Sequence, residues 1–183
     1  MNQQFKLITC TVPHVGSTLV ANINTGMLEP GQDIFFQKGL DSISTFLESN
    51  RLNLKNHGSV SKIVDIVKKF EESPIYFVTI NRDNHPQINY DSDKLIILDY
   101  NRLLYRSEHL KNETRSLEDV LNYLAFEYNQ KIPGEFFNET LKSQALDRIV
   151  KMDEVYSQIK EKPFTYWNKH YHIHGSHRGR QST

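Results

Sequence analysis

The sequence predicts an α/β fold, a three-layer sandwich with a mostly parallel central sheet and a P-loop-like anion loop after the first strand. Three observations predict it. Short apolar runs alternate with amphipathic helical stretches through the first half of the chain. Two of those runs, residues 75–80 (IYFVTI) and 95–98 (LIIL), are continuously apolar or β-branched, as strands covered on both faces are. Residues 7–22 (LITCTVPHVGSTLVAN) pass from apolar run to tight turn to helix, an arrangement that aims backbone N–H groups at an anion.

Each element has its own warrant. Residues 5–10 are apolar enough for a central strand. Residues 17–27 place Leu19, Val20, Ile23 and Met27 near helical spacing, and Glu29, Pro30 and Gly31 end that helix. Residues 33–37 hold Ile34, Phe35 and Phe36 without a decisive period. Residues 40–49 read as a helix with Leu40, Ile43, Phe46 and Leu47 on one face. Residues 51–55 alternate Leu52 and Leu54 with polar residues, as a strand does, and run into Asn56-His57-Gly58. Residues 59–70 put Val60, Ile63, Val64, Val67 and Phe70 on one helical face, and Ser73-Pro74 breaks the helix. After the strand at 75–80, residues 85–93 are polar and form a loop before the strand at 95–98. Ser116, with Asp119 three residues on, caps a helix to about residue 128. Asn138 caps the longest helix, which ends near residue 159 ahead of Pro163.

Composition bounds the function. A chain of 183 residues with 38% hydrophobic residues suits one α/β domain over 1–183, with 163–183 as a basic, histidine-rich segment. Formal net charge is zero, which argues against a general nucleic-acid binder. The apolar runs are too short for a membrane span, and MNQQFK does not read as a secretory signal. The single cysteine, Cys10, excludes an internal disulfide and reads as a buried strand residue, so a cytoplasmic setting is expected.

In parallel sheets ligands gather beyond the C-terminal ends of the strands. The first such end here is Pro13-His14-Val15-Gly16-Ser17-Thr18, an anion loop or a plain capped turn. It lacks the lysine and upstream glycine of the nucleotide P-loop, which weakens a case for ATP or GTP hydrolysis. The second is Lys55-Asn56-His57, a general base beside a cation or an ordinary loop histidine. The third is Arg82-Asp83, a phosphate grip or an arginine paired with Asp83 or Asp99, with Tyr90 and Ser92 as secondary contacts. In the tail, His170, His172 and His174 would share one face if extended, a possible zinc arrangement. Ser176, Arg178 and Arg180 would make an anion-binding flap, and a packed or disordered tail is the third alternative.

Together these residues resemble the sulfotransferase family that uses 3'-phosphoadenylyl sulfate (PAPS), and the chain looks similar to short marine microbial and viral sulfotransferase-like proteins. In that family a Pro-(Lys/Arg)-(Ser/Thr)-Gly-(Ser/Thr)-Thr loop holds the 5'-phosphosulfate; residues 13–18 align with it, with His14 at the lysine or arginine position. Lys55-Asn56-His57 stands where the family has Lys-Thr-His, whose histidine is the base. Arg82-Asp83 matches the pair whose arginine holds the 3'-phosphate. The family's serine at that phosphate falls at Tyr90, with Ser92 next to the register. Arg178-Gly179-Arg180 resembles the family's C-terminal basic loop.

The resemblance therefore implies catalytic roles for His57, Lys55 and His14. It implies donor binding by Gly16, Ser17, Thr18, Arg82, Ser92, Arg178 and Arg180, with no metal. The expected partner is a small-molecule or carbohydrate acceptor, with no nucleic acid and no membrane. Two alternatives stand beside it. One is a kinase-like phosphoryl transferase with Asp99 on Mg²⁺, and the other is an inactive binding protein that keeps the fold.

Overall fold

The computed structural model describes residues 5–39, 43–105 and 115–180, the side chains of residues 178–180 excepted. Five strands form an all-parallel sheet: β1 (Lys6–Thr11), β2 (Phe36–Lys38), β3 (Asn53–His57), β4 (Ile75–Asn81) and β5 (Leu95–Asp99). Their order is β2-β3-β1-β4-β5, with β1 at the centre. Residues 33–37, which carry no clear period, contribute the edge strand β2. It is only three residues long, too short to show alternation.

Alternation along β1 divides the molecule into layers. Leu7 faces the core built with α1 (Ser17–Leu28), α4 (Leu117–Lys131) and α5 (Glu139–Ser157). Ile8 and Cys10 face the core built with α2 (Ile43–Glu48) and α3 (Val60–Lys69). The three-layer α/β reading therefore holds. Cys10 is fully buried, and burial pushes its thiol up to about 12. The expected helix at 40–49 starts at Ile43 in the structure; Leu40 lies outside the described residues. No helix among the described residues is long and apolar enough to cross a membrane.

Helix α1 is wedged between the sheet and α5, and it is buried nearly all round. Its polar residues are satisfied inside. Asn24 Nδ2 donates to Thr9 Oγ1 at 3.0 Å and its Oδ1 accepts from Tyr128 at 2.7 Å, tying β1, α1 and α4 together. Asn53 of β3 donates to Thr25 Oγ1 at 3.0 Å. This network fixes α1, and with it the loop at its N-terminus, against the two central strands.

Beyond α5 the chain forms a small antiparallel hairpin, β6 (Trp167–Asn168) with β7 (Ile173–His174), followed by a 3-10 turn. Arg148 of α5 is 6% exposed and holds this segment down. Its guanidinium donates to Asn22 Oδ1 at 2.9 Å, the Gln32 carbonyl at 2.8 Å and the His170 carbonyl at 2.6 Å.

Candidate functional site at the C-terminal edge of the sheet

The chain leaves β1 toward β2 on one side and leaves β4 toward β5 on the other. Adjacent strands whose connections diverge open a crevice at their C-terminal ends, here between β1 and β4. The loop between β1 and α1 sits at this crevice. Val12 and Val15 are buried and anchor it from below, while Pro13 and His14 are exposed. His14 has φ 68° and Gly16 φ 86°, both left-handed. At Gly16 a Cβ would also lie 3.2 Å from the Tyr100 ring, so both conformation and space call for glycine.

Arg82, just past β4, spans the crevice. Its Nη1 donates to the His14 carbonyl at 2.7 Å, and its guanidinium lies 4.2 Å over the Tyr100 ring. Arg82, Tyr100, Gly16 and His14 thus form one stack that sets the loop's shape. Gly16 provides no side-chain cap to α1, and the helix has no acid in its first turn. The first-turn amides are left pointing beyond the helix, with the dipole favouring an anion there.

On the other flank of β1, His57 pairs in register with Thr11. His57 Nδ1 is 3.3 Å from the Thr11 carbonyl, and Lys55 Nζ is 3.2 Å from His57 Nε2. An ammonium can only donate, so Nε2 accepts from Lys55 and Nδ1 carries the proton donated to Thr11. Burial, then the Lys55 charge, lowers the His57 imidazole to about 4, so it is neutral at physiological pH. Lys55 is itself buried, with its ammonium 4.8 Å over the Phe36 ring.

The tail closes this flank. The His172 ring packs 4.6 Å from Phe36, whose ring is 5.6 Å from that of His57. Burial, with the charges of Lys55, His174 and His57 behind it, lowers His172 to about 3. Its backbone is left-handed at φ 55°, an uncommon state for a non-glycine residue.

His14, Gly16, Ser17, Thr18, Lys55, His57 and Arg82 all lie at this edge. Ser92 does not. Parallel strands require the chain to travel back to the sheet's N-terminal edge after β4, and Ser92 stands there, just before β5. Its hydroxyl accepts from the Lys94 amide at 3.1 Å and its carbonyl from Lys131 at 3.0 Å. Tyr90 likewise points away, donating to Glu71 at 2.5 Å. The placement of Ser92 and Tyr90 as phosphate contacts is therefore corrected. The Arg178 and Arg180 side chains lie outside the described residues.

Nor do the tail histidines share one face. The turn through His172 breaks the extended run; His170 bonds Asp33 at 2.8 Å, while His174 stacks 3.8 Å from His177. Among the described residues no group of three or more His, Cys, Asp or Glu is placed to hold a metal. Asp99 caps the turn after β5, accepting from the Asn101 amide at 2.9 Å.

Sequence reasoning missed Phe36 and His172 as walls of the site and Arg148 as the clamp behind them. Only Arg148 left a signal. It falls on the stripe of Leu141, Ala145, Ile149 and Met152, a lone cation on a buried face. Compared with known proteins, the chain matches no family model and no curated relative.

Proposed function

We propose that this chain is a cytoplasmic sulfotransferase that moves a sulfuryl group from PAPS to an acceptor hydroxyl or amine. The observation that carries the reading is the convergence of three parts on the end of β1. They are an uncapped loop and helix N-terminus, a neutral histidine bonded to a lysine, and an arginine fixed across the crevice. The resemblance of residues 13–18, 55–57 and 82–83 to the family's motifs points the same way.

In this reading the donor's 5'-phosphosulfate lies on the amides and hydroxyls of Gly16, Ser17 and Thr18. Arg82 takes the 3'-phosphate, with Arg178 and Arg180 as further donors from the tail. The acceptor oxygen attacks sulfur in line as the sulfur–oxygen bond to the 5'-phosphate breaks. The acceptor proton passes to His57 Nε2, and 3',5'-adenosine bisphosphate leaves. Lys55 has two duties. Before the donor arrives it occupies Nε2; the incoming anion draws it toward the bridging oxygen and uncovers the base. His14 adds charge when protonated. No step calls for a metal.

The test is His57→Ala. Turnover with PAPS and a panel of alcohols and amines should fall about 10²–10⁴-fold, the range for a positioned base. Calorimetric binding of 3',5'-adenosine bisphosphate should stay within about twofold. Retained turnover contradicts the base role.

A further inference from the structure

We infer that the C-terminal hairpin is the acceptor subsite of this centre, with the Trp167 indole as a stacking platform for a saccharide ring and His172 positioned between that platform and His57. The inference rests on the sulfuryl-transfer reading for its chemistry, but the subsite is a binding claim of its own.

Trp167 is the only tryptophan in the chain and is 50% exposed, although an indole this large gains most from burial. It nevertheless packs against two rings of its own hairpin. The His174 ring lies nearly parallel to it, with centroids 5.8 Å apart, and the His172 ring meets it edge-on at 4.8 Å. The hairpin is closed by the Gly175 amide, which donates to the Tyr166 carbonyl at 3.0 Å, and the approach is tight enough that a Cβ at Gly175 would overlap the Phe164 carbonyl. A large aromatic kept half in solvent on a hydrogen-bonded turn, with two rings against it, offers a binding surface formed in advance.

The platform is joined to the reacting end by contiguous rings. Trp167 touches His172, His172 packs on Phe36, and Phe36 meets His57. His172 is forced into this place. Its left-handed φ follows two tethered carbonyls immediately before it, with Arg148 on the His170 carbonyl and Asn22 Nδ2 on the Tyr171 carbonyl at 2.9 Å. Strain held this firmly beside a candidate site is a reason to assign it a role there.

The rim selects the ligand class. Beside the indole stands the imidazole of His174, its register partner, bonded in turn to the hydroxyl of Ser176. A pyranose has an apolar C–H face for an indole and equatorial hydroxyls for a polar rim. A plain phenol has a ring face but only one polar group.

One tryptophan gives one indole Nε1–H resonance, so the subsite can be watched directly by ¹⁵N NMR without turnover. Glucose, N-acetylglucosamine, cellobiose and p-cresol are titrated into the full chain, with and without saturating 3',5'-adenosine bisphosphate. We expect at least one saccharide to displace the indole resonance saturably. Calorimetric saccharide affinity should drop at least about tenfold in Trp167→Ala and in His172→Ala, with Trp167→Tyr recovering most of it. The far-UV circular dichroism spectrum and Tm of each variant serve as the check of folding.

Bisphosphate binding with no saccharide response overturns the subsite and leaves the transfer reading standing. A saccharide response without bisphosphate binding supports the subsite and sinks the transfer reading. A response to p-cresol alone overturns the saccharide class.

Discussion

Replacing Arg148 with methionine isolates what fastens the tail to the rest of the fold. The guanidinium bonds acceptors on three separate segments: Asn22 of α1, which is buried, the Gln32 carbonyl and the His170 carbonyl. Methionine retains most of the stem's packing but supplies no donor. Bonds from a charged group contribute about 1.5–3 kcal/mol each. Against that loss, the variant no longer holds a buried cation whose desolvation costs several kcal/mol. The net destabilisation is about 2–4 kcal/mol. For a chain of this size each kcal/mol lowers Tm by about 2–4 °C. Urea denaturation reads the change as a lower midpoint at unchanged slope. A loss below about 0.5 kcal/mol, the level of an ordinary surface substitution, would refute the idea that this arginine clamps the hairpin against α1.

Two further predictions follow from the site. Gly16→Ala must hold φ 86° and push on Tyr100, so it should cost about 1–2 kcal/mol in stability and weaken bisphosphate binding, measured by denaturation and calorimetry; unchanged binding would show that the loop's shape does not matter to the ligand. In the unfolded chain His57 and His172 take up protons near 6.5, whereas in the fold they do so only near 4 and 3. Between those values the unfolded state binds more protons, so the stability these two histidines contribute is full above pH 6.5 and is lost as pH drops toward 3. At pH 5 each histidine should contribute about one proton to the uptake on unfolding, and His172→Gln should remove one from the slope of stability against pH; an unchanged slope contradicts the buried neutral imidazole.

The sheet was legible wherever burial on both faces wrote itself as continuous apolar runs, as at β4 and β5. It was least legible at β2, whose three residues cannot display a period and whose place is fixed by pairing with β3. The loop, the His57–Lys55 pair and Arg82 could be placed because each ends a strand, and strand ends of a parallel sheet share one edge. Ser92 was misplaced by reasoning from spacing alone; the return path between parallel strands sends it to the opposite edge. The near-complete burial of α1 goes beyond the face that Leu19, Val20, Ile23 and Met27 marked, and it fits a helix that carries no charged residue. The role of His172 had no local signature. Its left-handed backbone comes from bonds to residues far away in the chain, which only the folded structure brings together.

The central claim is that the end of β1 recognises a 3'-phosphorylated adenine nucleotide. Calorimetry of the full chain with 3',5'-adenosine bisphosphate against ADP and ATP, each with and without Mg²⁺, tests it most directly. The account predicts that the bisphosphate binds at least about tenfold tighter than ADP or ATP, that Mg²⁺ leaves this unchanged, and that Arg82→Ala abolishes the preference. Mg²⁺-dependent ATP binding with no preference for the 3'-phosphate would contradict it and point to phosphoryl transfer. Binding of none of the three would point to a protein that keeps this fold for another purpose.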